Sequence, residues 1–177
     1  MIRKLANILR DNIALVEWID NAGGVVDTLR KGDKVFPGWL NGFQHVDMTP
    51  NSQKYRGVAF FHASETSEGE SNGHLINETA ILKLLVWYKV KEIGATVDDS
   101  IPALQVADAI PKVVRQDGLT ARITYAGTSR DDIEWSAYTF NQDKLFTTYP
   151  YGFFVLEYNV SLWYNRCYSS MSAGGTC

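Results

Sequence analysis

The chain predicts an α+β fold: a mostly antiparallel sheet with an N-terminal helix and one central helix packed on it. Three observations carry this reading. Apolar residues recur at helical spacing near the N-terminus, at Ile2, Leu5, Leu9, Ile13 and Val16. Two long segments, 74–91 and 149–164, alternate as strands do, and a helical pattern opens at Ser100 between them. Helices gathered on an antiparallel sheet define the α+β class.

The first helix is amphipathic. Ile8 joins the apolar stripe, Arg3, Lys4, Asn7 and Arg10 lie opposite, and the pattern covers at least the first 11 or so residues. Asn21-Ala-Gly-Gly then reads as a turn. From 25 to 53 the text is irregular, punctuated by Pro37-Gly38, Asn41-Gly42 and Thr49-Pro50, and it allows short strands at 35–39 and 44–48.

Residues 54–63 and 74–91 read as two strands joined by an acidic segment bearing Glu65, Glu68 and Glu70. Such a loop is longer than the two to five residues that usually close a hairpin, and is expected to be solvated and to reach outward. In the second strand Leu82, Leu84, Val86, Tyr88 and Val90 share one face; Lys83, Leu85, Trp87, Lys89 and Lys91 share the other.

At the next helix Ser100 can cap and Pro102 suits the first turn, behind Asp98 and Asp99 at the positive dipole end. Ile101, Leu104, Ala107, Ile110 and Val114 form its apolar stripe, and Asp117-Gly118 ends it. Pro111 falls inside this pattern, so a kink or an early stop near Ile110 is expected. Residues 119–126 form a strand with Ala121, Ile123 and Tyr125 on one face, and 128–142 are polar, with room for one helical turn at 131–135.

The final strand puts Phe154, Leu156, Tyr158, Val160, Leu162 and Tyr164 on one face. Glu157, Asn159 and Ser161 hold the middle of the other, which ends in Phe153 and Trp163. A half-wet strand with aromatics at both ends of its wet face invites a partner. The expected organisation is one domain over 1–167 and a frayed tail over 168–177.

Composition narrows the function. A formal charge of −3 offers no basic surplus for reading DNA or RNA, and no Lys/Arg run suits an anionic membrane. No window approaches the roughly 18 apolar residues of a membrane helix, and no secretory h-region is visible. Cys167 and Cys177 are too few for a disulfide framework, so a reduced intracellular setting is expected.

No motif of nucleophilic, phosphate-binding or metalloprotease chemistry is present. His45 and Asp47 could put two ligands on one strand face, with His62 or His74 as a third, but nothing in the spacing makes them converge. Adjacent carboxylates Asp98-Asp99 and Asp131-Asp132 point apart and suit helix caps better than acid–base work. The expectation is no metal, no cofactor and no catalysis. Trp87, Trp135 and Trp163 could stack sugars, which keeps a β-rich carbohydrate-binding module as the alternative.

The layout resembles phage tail terminator and neck proteins. It has an N-terminal helix, a hairpin with a long loop, a strand-helix-strand unit and a polar stretch leading into an aromatic strand. Thr128-Ser-Arg-Asp-Asp, Phe146-Thr-Thr-Tyr-Pro-Tyr and Phe154-Val-Leu-Glu-Tyr-Asn-Val look like the corresponding final parts, and the similarity spans most of 1–165. The resemblance implies a tail-terminator-like fold in a virion protein assembled in the host cytoplasm. It would form a homo-oligomeric ring, commonly a hexamer, joining the head connector to the tail tube. DNA would pass through the lumen without specific binding. Glu65, Glu68, Glu70, Trp87, Phe153 and Trp163 are the expected interface residues.

Overall fold

Alternation along two long strands positions everything else in this molecule. The computed structural model describes residues 1–51, 53–64, 67–68, 75–95, 100–130, 135–139 and 149–165. The chain runs α1 (Ile2–Ile13), β1 (Asn21–Lys31), β2 (Lys34–Asn41), β3 (Gln44–Asp47), β4 (Gly57–Ala63), β5 (Ser67–Glu68) and β6 (Leu75–Lys89). It continues through α2 (Ile101–Asp108), β7 (Val113–Gln116), β8 (Leu119–Ser129), a 3-10 turn (Trp135–Ala137) and β9 (Tyr151–Asn165). The fold is α+β.

One curled sheet holds the strands in the order β3-β2-β1-β4-β6-β9-β8-β7, with β5 paired to β6 beyond the end of β4. Every pairing is antiparallel except β1 with β4. The spine is the β6–β9 pair, in register from Leu75↔Asn165 to Lys89↔Tyr151. Both strands are 15 residues long, so side chains of one parity form an apolar strip along the whole pair.

That strip is the main core. Leu82, Leu84, Val86 and Tyr88 of β6 join Phe154, Leu156, Tyr158, Val160, Leu162 and Tyr164 of β9, all buried as the alternation requires. From α1 the stripe Leu5, Ala6, Leu9 and Ile13 covers it; from α2 come Pro102 and Val106. The Trp18 indole donates to Gln105 Oε1 at 2.8 Å, tying the chain after α1 to α2. Nearby, Arg56 donates from Nη2 to Asp20 Oδ1 at 2.8 Å and to the Glu17 carbonyl at 2.7 Å. This guanidinium holds the Asp20 carboxyl below the usual carboxylate range.

The central helix differs from its expected form. It stops at Asp108; Ile101 and Leu104 are exposed, and Ser100 makes no side-chain cap bond. Pro111 does stop the pattern near Ile110. Beyond it the chain forms a hairpin rather than more helix: Asp117 (φ 48°) and Gly118 (φ 73°) both sit in the left-handed region, turning β7 into β8. An Asp-Gly pair with two positive φ values is the turn that joins twisted antiparallel strands.

The 21–47 region is also more regular than its punctuation implies. Asn21-Ala-Gly-Gly is not a turn but the start of β1, which pairs with β4 as far as Val25 and then diverges to pair with β2. A register shift between Ala22 and Val25 makes the change of partner. There a Cβ on Gly24 would lie 2.1 Å from Asn7 Oδ1, so glycine is what lets β1 pass under α1.

Candidate assembly surface

The sheet face opposite the helices divides into a covered half and an open half. In the covered half, Leu85 and Trp87 of β6 and Val155 of β9 pack with Val58 and Phe60 of β4. Val26, Trp39, Met48, Trp135 and Tyr138 complete this second core. Aromatic contacts knit it: Trp87 lies 5.2 Å from Tyr151, and Phe60 lies 5.4 Å from Trp135, centroid to centroid. Tyr138 also hydrogen-bonds His62 Nε2.

Lys83 and Glu157, opposite each other and 3.9 Å apart, stand at the border. Beyond them the face is polar and largely uncovered. Three register rows cross it: Ile81–Asn159–Thr124, Thr79–Ser161–Arg122–Val113 and Asn77–Trp163–Thr120–Arg115. A shallow depression of about 340 Å³ runs along Ser64, Thr79, Ile81, Asn159 and Ser161. On the neighbouring row Trp163 is half-buried, and the Asn77 Oδ1 opposite it is buried with no hydrogen bond among the described residues.

The expected interface residues therefore part company. Trp87 is 1% exposed and belongs to the second core, which corrects its assignment to an interface. Its cover comes from 26–48 and 135–138, segments whose irregular sequence did not announce a layer. Phe153 is half-buried against the same core. Only Trp163 stands on the open half. Glu65 and Glu70 lie outside the described residues, as does the Glu68 side chain, although the Glu68 backbone pairs with β6 in β5.

The described candidate metal ligands, His45, Asp47 and His62, form no metal-binding group. His45 is exposed, with Nε2 3.8 Å from Asp27 Oδ2, while Asp47 Oδ1 accepts a 2.8 Å bond from the Thr49 amide. His62 is engaged by Tyr138, and His74, Asp98, Asp99, Asp131 and Asp132 lie outside the described residues, with Cys167, Cys177 and the 168–177 tail. Among the described residues no three His, Cys, Asp or Glu side chains form a metal-binding group.

Two features went unread in the sequence. Phe43 is fully exposed at the tip of the β2–β3 hairpin, and the Asn41-Gly42 turn signal pointed to that tip. Arg122 of β8 and Arg115 of β7 extend the open half to the β7 edge; Arg115 was hidden because the helical stripe was read as far as Val114. A second hollow, about 520 Å³, lies between α2 and β8 along Ile110, Ile123, Tyr125 and Tyr158. Burial raises the Tyr158 phenol above its ordinary value, and its hydroxyl has no hydrogen-bond partner among the described residues. No helix among the described residues is long and apolar enough to cross a membrane. Comparison with protein-family models, curated proteins and solved structures returns no match for this chain.

Proposed function

We propose that this chain is a structural virion subunit of the tail terminator or neck type, forming a ring between the phage head connector and the tail. The observation that carries the reading is the open half of the sheet. A half-buried Trp163 sits in a broad polar face whose strands are rigidly held by the core behind it. A stiff, partly aromatic surface suits subunit packing, where tryptophan and arginine supply most of the binding energy. The element order, a helix, a hairpin interrupted by an acidic segment, a second helix and a long aromatic final strand, supports the same reading.

No catalysis or cofactor is required for this role. A net charge of −3, with 20 acidic side chains against 17 basic ones, suits a lumen through which DNA slides, because no basic surplus is present to hold phosphates. The sugar-binding alternative gains little support. Of five tryptophans, Trp18, Trp39, Trp87 and Trp135 are buried, and a stacking platform needs an exposed ring.

Native mass spectrometry of the full chain, with negative-stain imaging, tests the reading. The expected result is a closed homo-oligomer, six-fold for the commonest ring. A strict monomer at high concentration, both alone and with purified tail tubes, would overturn it.

A further inference from the structure

We propose that neighbouring copies join knob into hollow: Phe43, at the tip of the β2–β3 hairpin of one copy, enters the hollow between α2 and β8 of the next. This inference rests on the ring reading and assigns the contact that would build the ring.

The knob is the first observation. Asn41 pairs with Gln44, so Gly42 and Phe43 are the two residues of the turn. Gly42 has φ 64°, and glycine at the first of two turn positions is what a tight hairpin requires. The second position requires no aromatic side chain; turns favour Gly, Asn, Asp or Ser there. Phe43 nevertheless occupies it fully exposed, with Leu40 also exposed behind it on the same hairpin. The turn's own chemistry therefore does not account for this ring.

The hollow is the second. Ala107 of α2 and Ile110 just beyond it line about 520 Å³ together with Ile123, Tyr125 and Tyr158. An apolar cavity of about 150 Å³ already accepts a benzene ring, so this one has room for the Phe43 ring and part of the turn behind it. The Tyr125 and Tyr158 rings meet edge to face, 5.9 Å apart, an arrangement that a third ring can extend. Ile101, Leu104 and Ala107 follow one another at i, i+3 spacing along α2. Ile101, Leu104 and Tyr125 are each more than half exposed. The stripe that α2 does not bury in its own subunit thus leads into the hollow. Contiguous exposed apolar surface of this kind marks an interaction site, as scattered single residues do not.

Knob and hollow belong to the same chain, which points to a second copy as the occupant. Full exposure shows that Phe43 does not fill the hollow of its own subunit. Its hairpin packs on the second core through Trp39 and Val46, whereas Ile110, Ile123 and Tyr158 belong to the first. A knob and a pocket at different places on one molecule make a head-to-tail contact, which closes into a ring when the rotation allows.

Truncation of the knob in the full chain tests this. Phe43→Ala is expected to raise the subunit dissociation constant at least ~10-fold, read by native mass spectrometry. If that variant assembles like the parent, the knob assignment fails while the ring reading stands. If the parent stays monomeric, alone and with purified tail tubes, both fail. A second measurement keeps an aromatic knob: the photo-crosslinker p-benzoylphenylalanine in place of Phe43. Illumination of the assembled protein is expected to join two copies, with the crosslink mapped by peptide mass to 107–110, 123–125 or Tyr158. A crosslink to any other segment or to the tail tube protein, or none at all in an assembled ring, overturns the contact.

Discussion

Trp87 and Phe153 stand opposite each other across the β6–β9 ladder, on the same sheet face that presents Trp163 ten residues further along β9. One face of one strand pair thus has two fates. Around Trp87 it is roofed by β2, Met48 and the 3-10 turn; around Trp163 it is open.

This difference predicts opposite phenotypes for two tryptophan truncations. Trp87→Ala empties a fully buried site and is expected to cost about 3–5 kcal/mol of folding stability. Trp163→Ala removes a half-buried ring and should cost about 1 kcal/mol in the subunit while weakening assembly more. Urea unfolding at low concentration, beside native mass spectrometry, separates the two. Equal loss of folding and assembly in Trp163→Ala would place its ring in the subunit core instead.

Glu78 gives a second contrast. It is 7% exposed on the helix-facing side of β6, its Oε1 accepts from the Tyr164 hydroxyl, and its Oε2 has no partner among the described residues. Tyr164→Phe strips the carboxylate of that donor and is expected to cost about 1–3 kcal/mol. Glu78→Leu removes the buried polar group altogether and should cost less, or stabilise, because the burial penalty disappears with it. Thermal melts rank the two variants, and a larger loss in Glu78→Leu would show that the carboxylate supports the fold.

How far the sequence reached depends on where each element's cover comes from. The even face of β9 was legible because its six apolar side chains meet α1, α2 and β6 in one strip with period two. The burial of Trp87 was not, since Val26, Trp39, Met48, Trp135 and Tyr138 reach it from distant, irregular segments. β7 was lost to an ambiguity: Asp117-Gly118 can stop a helix or turn a hairpin, and Val114 fits the buried face of either. β1 was hidden by Gly23-Gly24, a signal of close backbone approach that resembles a turn. Of the candidate surface, Trp163 was readable from alternation alone, whereas Arg115 depended on seeing β7.

That close approach can be tested at Gly24. A methyl group there would meet Asn7 Oδ1 and lie 2.6 Å from Trp39 Nε1, two atoms that hydrogen-bond at 3.2 Å. Gly24→Ala must push them apart, leaving a buried indole N–H unpaired, at an expected cost of about 1–3 kcal/mol. Asn7→Ala removes one of the clashing atoms, so the double variant should be less destabilised than the sum of the singles. Strict additivity in denaturant unfolding would show that the strain lies elsewhere.

The Asp20–Arg56 fork predicts a pH dependence whose sign is definite. Arg56 lowers the Asp20 pKa in the folded chain relative to the unfolded one, so the folded state binds the Asp20 proton less readily. Its contribution is therefore complete above the ordinary aspartate range. It drains away as pH falls through the lowered folded value. Asp20→Asn is expected to reduce stability at neutral pH and to flatten the acid limb of the stability curve, so that the two proteins converge in acid. The fork is partly exposed, at 40% for the Arg56 side chain and 27% for Asp20, so salt should shrink the difference. Melting temperatures of both proteins across the acid range, at low and high salt, make the comparison. A gap independent of pH would mean that Asp20 acts through the geometry of its hydrogen bonds to Arg56 alone, without its charge.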